Sequence, residues 1–481
     1  MNPTALSYNL ARRRFLTKAS CGLGAFAFSS LLARDLDARP KSEVGPQRGT
    51  GLPSLPHFPP RARRVIYLNM SGGPSQLETF DPKPQLKDLH GQDLPRSVRG
   101  EQRITLMTRT QNKILVAAAQ HHFLRRGQSG QEMNSLFQHL GKVADDLCIV
   151  RSMHTDPINH DPAMTFLQTG SPLAGRPCVG SWISYGLGTM NRDLPEFVVL
   201  LSKSGQPVPS RYWHNGFLPS RHQGVQFQST GDPVLFLSNP DGIDGANRGR
   251  LVNGISRLNS LKREQIGDDE IDARINAYQL AYRMQTSVPE LMDVSRESKK
   301  TLEEYGVEPG KASFGANCLL ARRLAEAGVR FIQLYDRGWD HHGGVTNNIT
   351  KKIREVDRPC AALLKDLKAR GMLDDTLVIW GGEFGRTTYS QGSLGNNFGR
   401  DHHPRCFSIW MAGGGVQGGV NFGRTDDFAY NIAENPVSVY DLNATLLHLL
   451  GIDHELLTYR FQGRGFRLTD VEGKVRHELL A

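Results

Sequence analysis

Short apolar runs recur along this sequence, and each stops at glycine or at a polar cluster. They are RRVIYLNM (63–70), LCIVRSM (147–153), FVVLLS (197–202), VRFIQLY (329–335), TLVIW (376–380) and CFSIWM (406–411). Runs of this length suit strands covered on both faces and are too short for helices. Between them lie stretches with apolar residues three or four apart, as in EIDARINAYQLAYRMQT and SFGANCLLARRLAEAG. PCAALLKDLKARG ends on Gly371, which suits a helix C-cap. Strands alternating with amphipathic helices predict a three-layer α/β/α sandwich around a mostly parallel sheet.

In such a sheet, polar sites collect at the carboxyl ends of the strands. The polar clusters here follow the apolar runs directly. VRFIQLY leads to Asp336, Asp340, His341 and His342, and TLVIW leads to GGEFGRT with Glu383 and Arg386. LCIVRSM leads to HTDPINHDPAM (154–164), and RRVIYLNM leads to SGGPSQLETFD (71–81). GRDHHP (399–404) stands just before CFSIWM and enters the sheet from a loop. Taken singly, Asp340 with His342 is an ordinary loop feature, and Glu383 is a partner for Arg386. Histidines and carboxylates converging from separate strand ends are how a hydrolytic metal site is assembled. Gly72 and Gly73 in MSGGPS either form a nest of N–H groups for an anion or make a tight turn with positive φ. AGGGVQGG (412–419) has no Gly-Lys-Ser/Thr after it, so it reads as a turn and not a phosphate loop.

At 481 residues, 38% hydrophobic and 22% charged, the chain has room for one large domain or two ordinary ones. Its net charge of +10 is concentrated at one end: residues 1–64 hold eleven Lys/Arg and three acids. The rest is nearly neutral, with no basic stripe, which excludes nucleic acid as the expected partner. Arg12-Arg13 followed by Phe15-Leu16 and the apolar run 21–33 resembles a twin-arginine export signal, and that run is too short to span a bilayer. Lys18, three residues before Cys21, argues against a lipid anchor. The expected organisation is a signal at 1–38, a Pro/Gly-rich linker at 39–63 and one α/β domain at 64–481. The mature protein is then periplasmic or extracellular, with no integral membrane segment. Cys148, Cys178, Cys318, Cys360 and Cys406 form no C-x-x-C pair, which indicates neither a zinc knuckle nor a disulfide scaffold.

The ordered set MSGGPSQLETFDPKP, RSMHTDPINHDPAMTFLQTG, GFLPSRHQGVQF, AYRMQTSVPEL, GWDHH, LVIWGGEFGRT, GRDHHP and VYDLNATLLHLLGID resembles the sulfatase-like domain-of-unknown-function family DUF1501. The resemblance runs from residue 64 to the C-terminus. It implies the α/β/α sandwich and two-metal chemistry of the alkaline phosphatase superfamily. It also implies metal ligands Asp340, His342 (over His341), Glu383 and His402 (over His403). Phe384 stands where the superfamily often has histidine after the acid. SGG (71–73) replaces the Asp that ends the first strand, with Glu78 and Asp81 the nearest acids. No C-x-P-x-R occurs, which disfavours a formylglycine sulfatase. Counting back from Thr169-Gly170, His160 takes the nucleophile's place as a ligand, a general base or a nucleophile, with Asp161 beside it to orient the ring. Thr155 or Ser152 would serve a Ser/Thr phosphatase.

The expectation is therefore an exported metal-dependent hydrolase of phosphate or sulfate esters. His160, Arg386 and Thr155 would be catalytic, and Gly72 and Gly73 would bind the anion. The cofactor would be one or two divalent ions, zinc first, with manganese, iron or calcium as alternatives. The alternative function is a catalytically degenerate surface protein that binds a sulfated glycan or a protein partner. The oligomeric state is not legible.

Overall fold

A computed structural model describes residues 51–481 apart from 103, 203–207, 236, 240, 241, 267, 268 and 396. The export signal and the first part of the expected linker lie outside the described residues.

The six apolar runs all become strands of one nine-stranded sheet. In chain order the sheet holds β1 (Arg64–Ser71), β2 (Leu147–His154), β3 (Phe197–Leu201), β4 (Val225–Phe227), β5 (Phe331–Arg337) and β6 (Thr376–Gly381). A hairpin outside the sheet follows, made of β7 (Gly385–Gln391) and β8 (Gly399–His403). Then come β9 (Phe407–Ala412), β10 (Val420–Phe422) and β11 (Val437–Ser438), again in the main sheet. The strand order is β10-β2-β9-β6-β1-β5-β3-β4, with β11 also paired to β2. β9 is antiparallel to both β2 and β6, and the other pairings are parallel. Reversal of β9 brings its start to the edge where β1, β2, β5 and β6 end. GRDHHP therefore reaches the same edge as the other clusters.

Side chains of a strand alternate between faces, and β1 shows the consequence. Ile66, Leu68 and Met70 join one apolar core, while Val65 and Tyr67 join another on the opposite face. The first core is roofed by α5 (Phe314–Glu326) and α6 (Val345–Ala369). The second is roofed by α1 (His160–Thr169), α2 (Val179–Leu187) and α7 (Val439–Leu449). The sheet is thus covered on both faces, as its apolar runs require. Between β4 and β5, α3 (Gly245–Ile266) and α4 (Asp269–Met292) form a helical pair. Among the described residues no helix is long and apolar enough to cross a membrane.

Two boundaries differ from expectation. Residues 51–63, read as linker, are bound to the domain: Leu52 N donates to Gly186 O at 2.8 Å, and Ala62 N donates to Leu449 O at 2.8 Å. Leu52 and Leu55 pack on the second core, so scattered apolar residues anchor a stretch whose prolines suggested a spacer. Helix α6 starts at Val345 and runs through Pro359 to a turn at Gly371, whose φ is +66°. The missing Pro359 N–H is tolerated because Val345, Ile349, Ile353 and Val356 bury the preceding turns.

Candidate metal centre

The loop after β5 carries Asp340 and His342 between Gly338 (φ +93°) and Gly344 (φ +57°). The turn after β1 lies directly against it. A Cβ on Gly72 would stand 2.6 Å from Asp340 N, and one on Gly73 would stand 2.6 Å from the Phe384 ring. Bare glycine backbone is therefore what lets the ends of β1, β5 and β6 close on one point. His160 arrives as the first residue of α1, and His402 arrives on β8.

Three imidazoles converge on one carboxylate oxygen. Asp340 Oδ1 lies 2.8 Å from His342 Nε2, 3.2 Å from His160 Nε2 and 3.6 Å from His402 Nε2. One ligand atom from each of the four residues falls within 4.8 Å of the others. Each ring is held from behind by an acceptor. His160 Nδ1 meets Glu383 Oε1 at 2.6 Å, His342 Nδ1 meets Gln391 Oε1 at 2.5 Å, and His402 Nδ1 meets Ile158 O at 2.8 Å. An acceptor at Nδ1 places a ring proton there, which leaves Nε2 as the atom available to ligate a metal. The Nε2 atoms of His160 and His402 are buried and make no hydrogen bond of acceptable geometry. Buried polar atoms without partners are costly, and lone pairs aimed at one point fit a cation.

The electrostatics agree. Burial disfavours charge on His160, but the neighbouring Asp340 and Glu383 carboxylates outweigh this and lift its pKa to about 9. Burial would raise the Asp340 carboxyl, yet His160, His342, His402 and the Arg386 charge hold it far below the usual carboxylate range. Burial keeps His402 below its ordinary value, and the Arg386 charge adds to the effect. Asp340 is thereby held as a carboxylate, which offers negative charge to a cation at this point. The cluster is also open on one side. The Asp340, His160 and His342 side chains are 35%, 32% and 27% exposed, against 5% for His402.

The remaining sequence candidates fall in other places. Glu383, expected as a ligand, lies behind His160 and also accepts from Gly72 N at 3.0 Å. The turn does have positive φ, at +116° for Gly72 and +63° for Gly73, but the anion its Gly72 N–H holds is the protein's own Glu383. Arg386, expected to face substrate, is buried. It donates to Gly73 O at 2.9 Å, Arg400 O at 3.2 Å, Asp340 Oδ1 at 2.6 Å and also to Gly72 O. Thr155 is buried with its Oγ1 without a partner, and Ser152 donates to Asn435 O. Asp161, expected to orient His160, instead accepts from Arg211 and, at 2.7 Å, from Tyr212 Oη. Helical geometry turns consecutive side chains apart, and Glu383, just after β6, takes that task instead.

The neighbouring histidines point away. His341 Nε2 bonds Gly338 O at 3.0 Å and His403 Nε2 bonds Tyr430 O at 2.7 Å, with burial lowering both to about 4. Glu78 and Asp81 are also occupied, by Arg400 at 2.7 Å and Lys83 at 3.2 Å. Asp336 is buried against Lys352 Nζ at 2.6 Å. The five described cysteines are buried and free. Sequence reasoning missed Gln391 entirely: no motif marks a glutamine 49 positions from the histidine it holds.

The family profile for DUF1501, described as a protein of unknown function, matches residues 62–480. A search of curated protein sequences finds no match. Solved structures with similarity include the PsFucS1 sulfatase from Pseudoalteromonas sp., at 12% identity over 82% of this chain and 69% of that one, TM-score 0.34. A protein in the alkaline phosphatase superfamily from Vibrio parahaemolyticus matches at 12% identity over 84% and 70%, TM-score 0.34. The phosphonate monoester hydrolase SpPMH from Silicibacter pomeroyi matches at 11% identity over 66% and 68%, TM-score 0.29.

Proposed function

The chain belongs to the DUF1501 family, and from that premise we propose that it is an exported, metal-dependent hydrolase of phosphate or sulfate esters in the alkaline phosphatase/sulfatase superfamily. The observation that carries this reading is the convergence of three Nε2 lone pairs on Asp340, each set by an acceptor behind its ring. Three imidazoles and one carboxylate suit zinc best, with manganese or iron next and oxygen-preferring calcium last. The partial exposure of the Asp340, His160 and His342 side chains leaves an ion held there reachable from solvent. One such group occurs among the described residues, so one ion per chain is expected.

The bound ion would supply Lewis acidity toward an anionic ester oxygen. The protein's own groups do the rest. Glu383, fixed by Gly72 N, holds the His160 ring and keeps its Nε2 turned inward. Arg386 offsets the Asp340 charge and ties the β1 turn to the hairpin. No cysteine belongs to the cluster among the described residues, and in this reading water is the nucleophile. His160, which occupies the family position of the nucleophile, acts as a ligand in this reading.

Elemental analysis of purified mature protein should find about one transition-metal ion per chain. Assays on aryl phosphate, phosphodiester and sulfate esters should then show hydrolysis that stops when a chelator strips the ion and returns on reloading. A protein that holds no metal sinks the proposal. The binding-protein reading is favoured by one observation: the Gly72 N–H and the Arg386 donors named above are spent internally. Metal binding with silence on every ester supports it. Export is proposed from Arg12-Arg13 and the apolar run after them. Changing both to Lys should leave the precursor in the cytoplasm, and undiminished export counts against this route.

A further inference from the structure

We propose that Gln391 is a positioning residue of the metal centre, holding the His342 ring so that its Nε2 faces Asp340. The assignment rests on the metal reading above. Gln391 ends β7, and its Oε1 stands 2.5 Å from His342 Nδ1. A carbonyl-type oxygen only accepts, so the ring carries a proton at Nδ1, and Nε2, 2.8 Å from Asp340 Oδ1, is the atom that would ligate an ion.

The backbone keeps the two residues in register. Arg400 N donates to His341 O at 3.1 Å, Gly344 N to Asn397 O at 3.0 Å and Val345 N to Phe398 O at 3.0 Å. Gly399, paired with Gln391 across the hairpin, lies so near the loop that a Cβ on it would stand 1.9 Å from His342 O. Gln111 clamps the far side, donating to Ser390 O at 3.1 Å and accepting from Gly392 N at 2.8 Å. The glutamine amide is thus presented to His342 by a hairpin stitched to the same loop.

The three acceptors behind the rings differ in charge. His160 has a carboxylate, His402 a backbone carbonyl and His342 a neutral side-chain amide. Gln391 is therefore a place where one substitution changes the acceptor strength behind a ligand and leaves every ligand in place. Loss of such an outer partner lowers metal affinity by about 10–100-fold. A carboxylate there would make His342 a more basic donor.

The test uses the mature chain loaded with cobalt(II), read by its visible absorption and by competition with a chromophoric chelator. Gln391→Leu should bind cobalt about 10–100-fold more weakly and shift the visible bands, while the metal-free chain melts close to wild type. Gln391→Glu should restore or exceed wild-type affinity. Should Gln391→Leu not fold, Gln391→Asn, which withdraws the amide by one methylene, takes the same measurement with the same expectation. Wild-type affinity and bands in the Leu (or Asn) variant overturn the assignment. Weakening that Gln391→Glu fails to restore overturns it too, because it marks a packing role. Wild-type protein that takes up no cobalt overturns the metal reading together with this one.

Discussion

Two stretches of the site, Asp340-His341-His342 and Asp401-His402-His403, have the same residue types, and each sends one of its two histidines to the cluster by different means. In the first it is the second histidine, and in the second it is the first. His342 and His402 face the cluster, whereas His341 and His403 are sealed against Gly338 O and Tyr430 O. In β8 the strand itself separates neighbours, since consecutive side chains point to opposite faces. An irregularity between Arg400 and His402 re-aims the latter, and Asp401 is drawn off to Thr108 Oγ1 at 2.8 Å. Residues 340–342 lie in a loop, where no such period operates. There the split depends on the turn at Gly338, the bond to its carbonyl and the hold of Gln391 on His342. The strand sorts its histidines by backbone geometry, and the loop sorts them by tertiary contact.

The largest expected effect breaks the comparison outright. His342→Ala and His402→Ala should each abolish stoichiometric metal uptake in elemental analysis, whereas His341→Ala and His403→Ala should retain it. Equal loss in all four would mean that neither stretch discriminates. Next comes the support of the strand side. Arg400 is fully buried and bonded to Glu78 at 2.7 Å, so Glu78→Ala should cost about 3–5 kcal/mol in denaturant unfolding by leaving a buried charge unpaired. A smaller effect separates ligand from support: Glu383→Gln keeps the shape behind His160 but weakens the acceptor. Chelator competition should read an affinity about 10–100-fold lower with uptake still reaching one ion. Total loss of uptake would make Glu383 a ligand after all. The smallest effect probes the loop side. Asp336→Asn should cost only about 1–2 kcal/mol, because Lys352 keeps Glu355 at 2.6 Å. A cost equal to that of Glu78→Ala would show the loop to rest on its buried pair as heavily as the hairpin does.

Much of this molecule was legible in its residues. Each apolar run is a strand because its side chains must be covered on both faces, and the polar clusters follow the runs because the chain must turn where burial stops. The choice of His342 over His341 and His402 over His403 was available only through resemblance to a family. Composition and spacing treat adjacent histidines alike.

By itself the sequence determined the strands, the helices that cover them and the edge at which the chemistry gathers. These follow from local patterns of burial and from glycines at the turns. Tertiary structure alone decided which groups meet. Glu383 lies 223 positions from His160 and Gln391 lies 49 from His342, and neither pairing leaves a periodic trace. The acid expected to bind an ion turned out to hold a histidine, and the arginine expected to meet substrate was used up by three carbonyls and Asp340. A side chain's role depends on which donors and acceptors surround it, and those neighbours come from sheet order and loop packing, which no stretch of sequence contains.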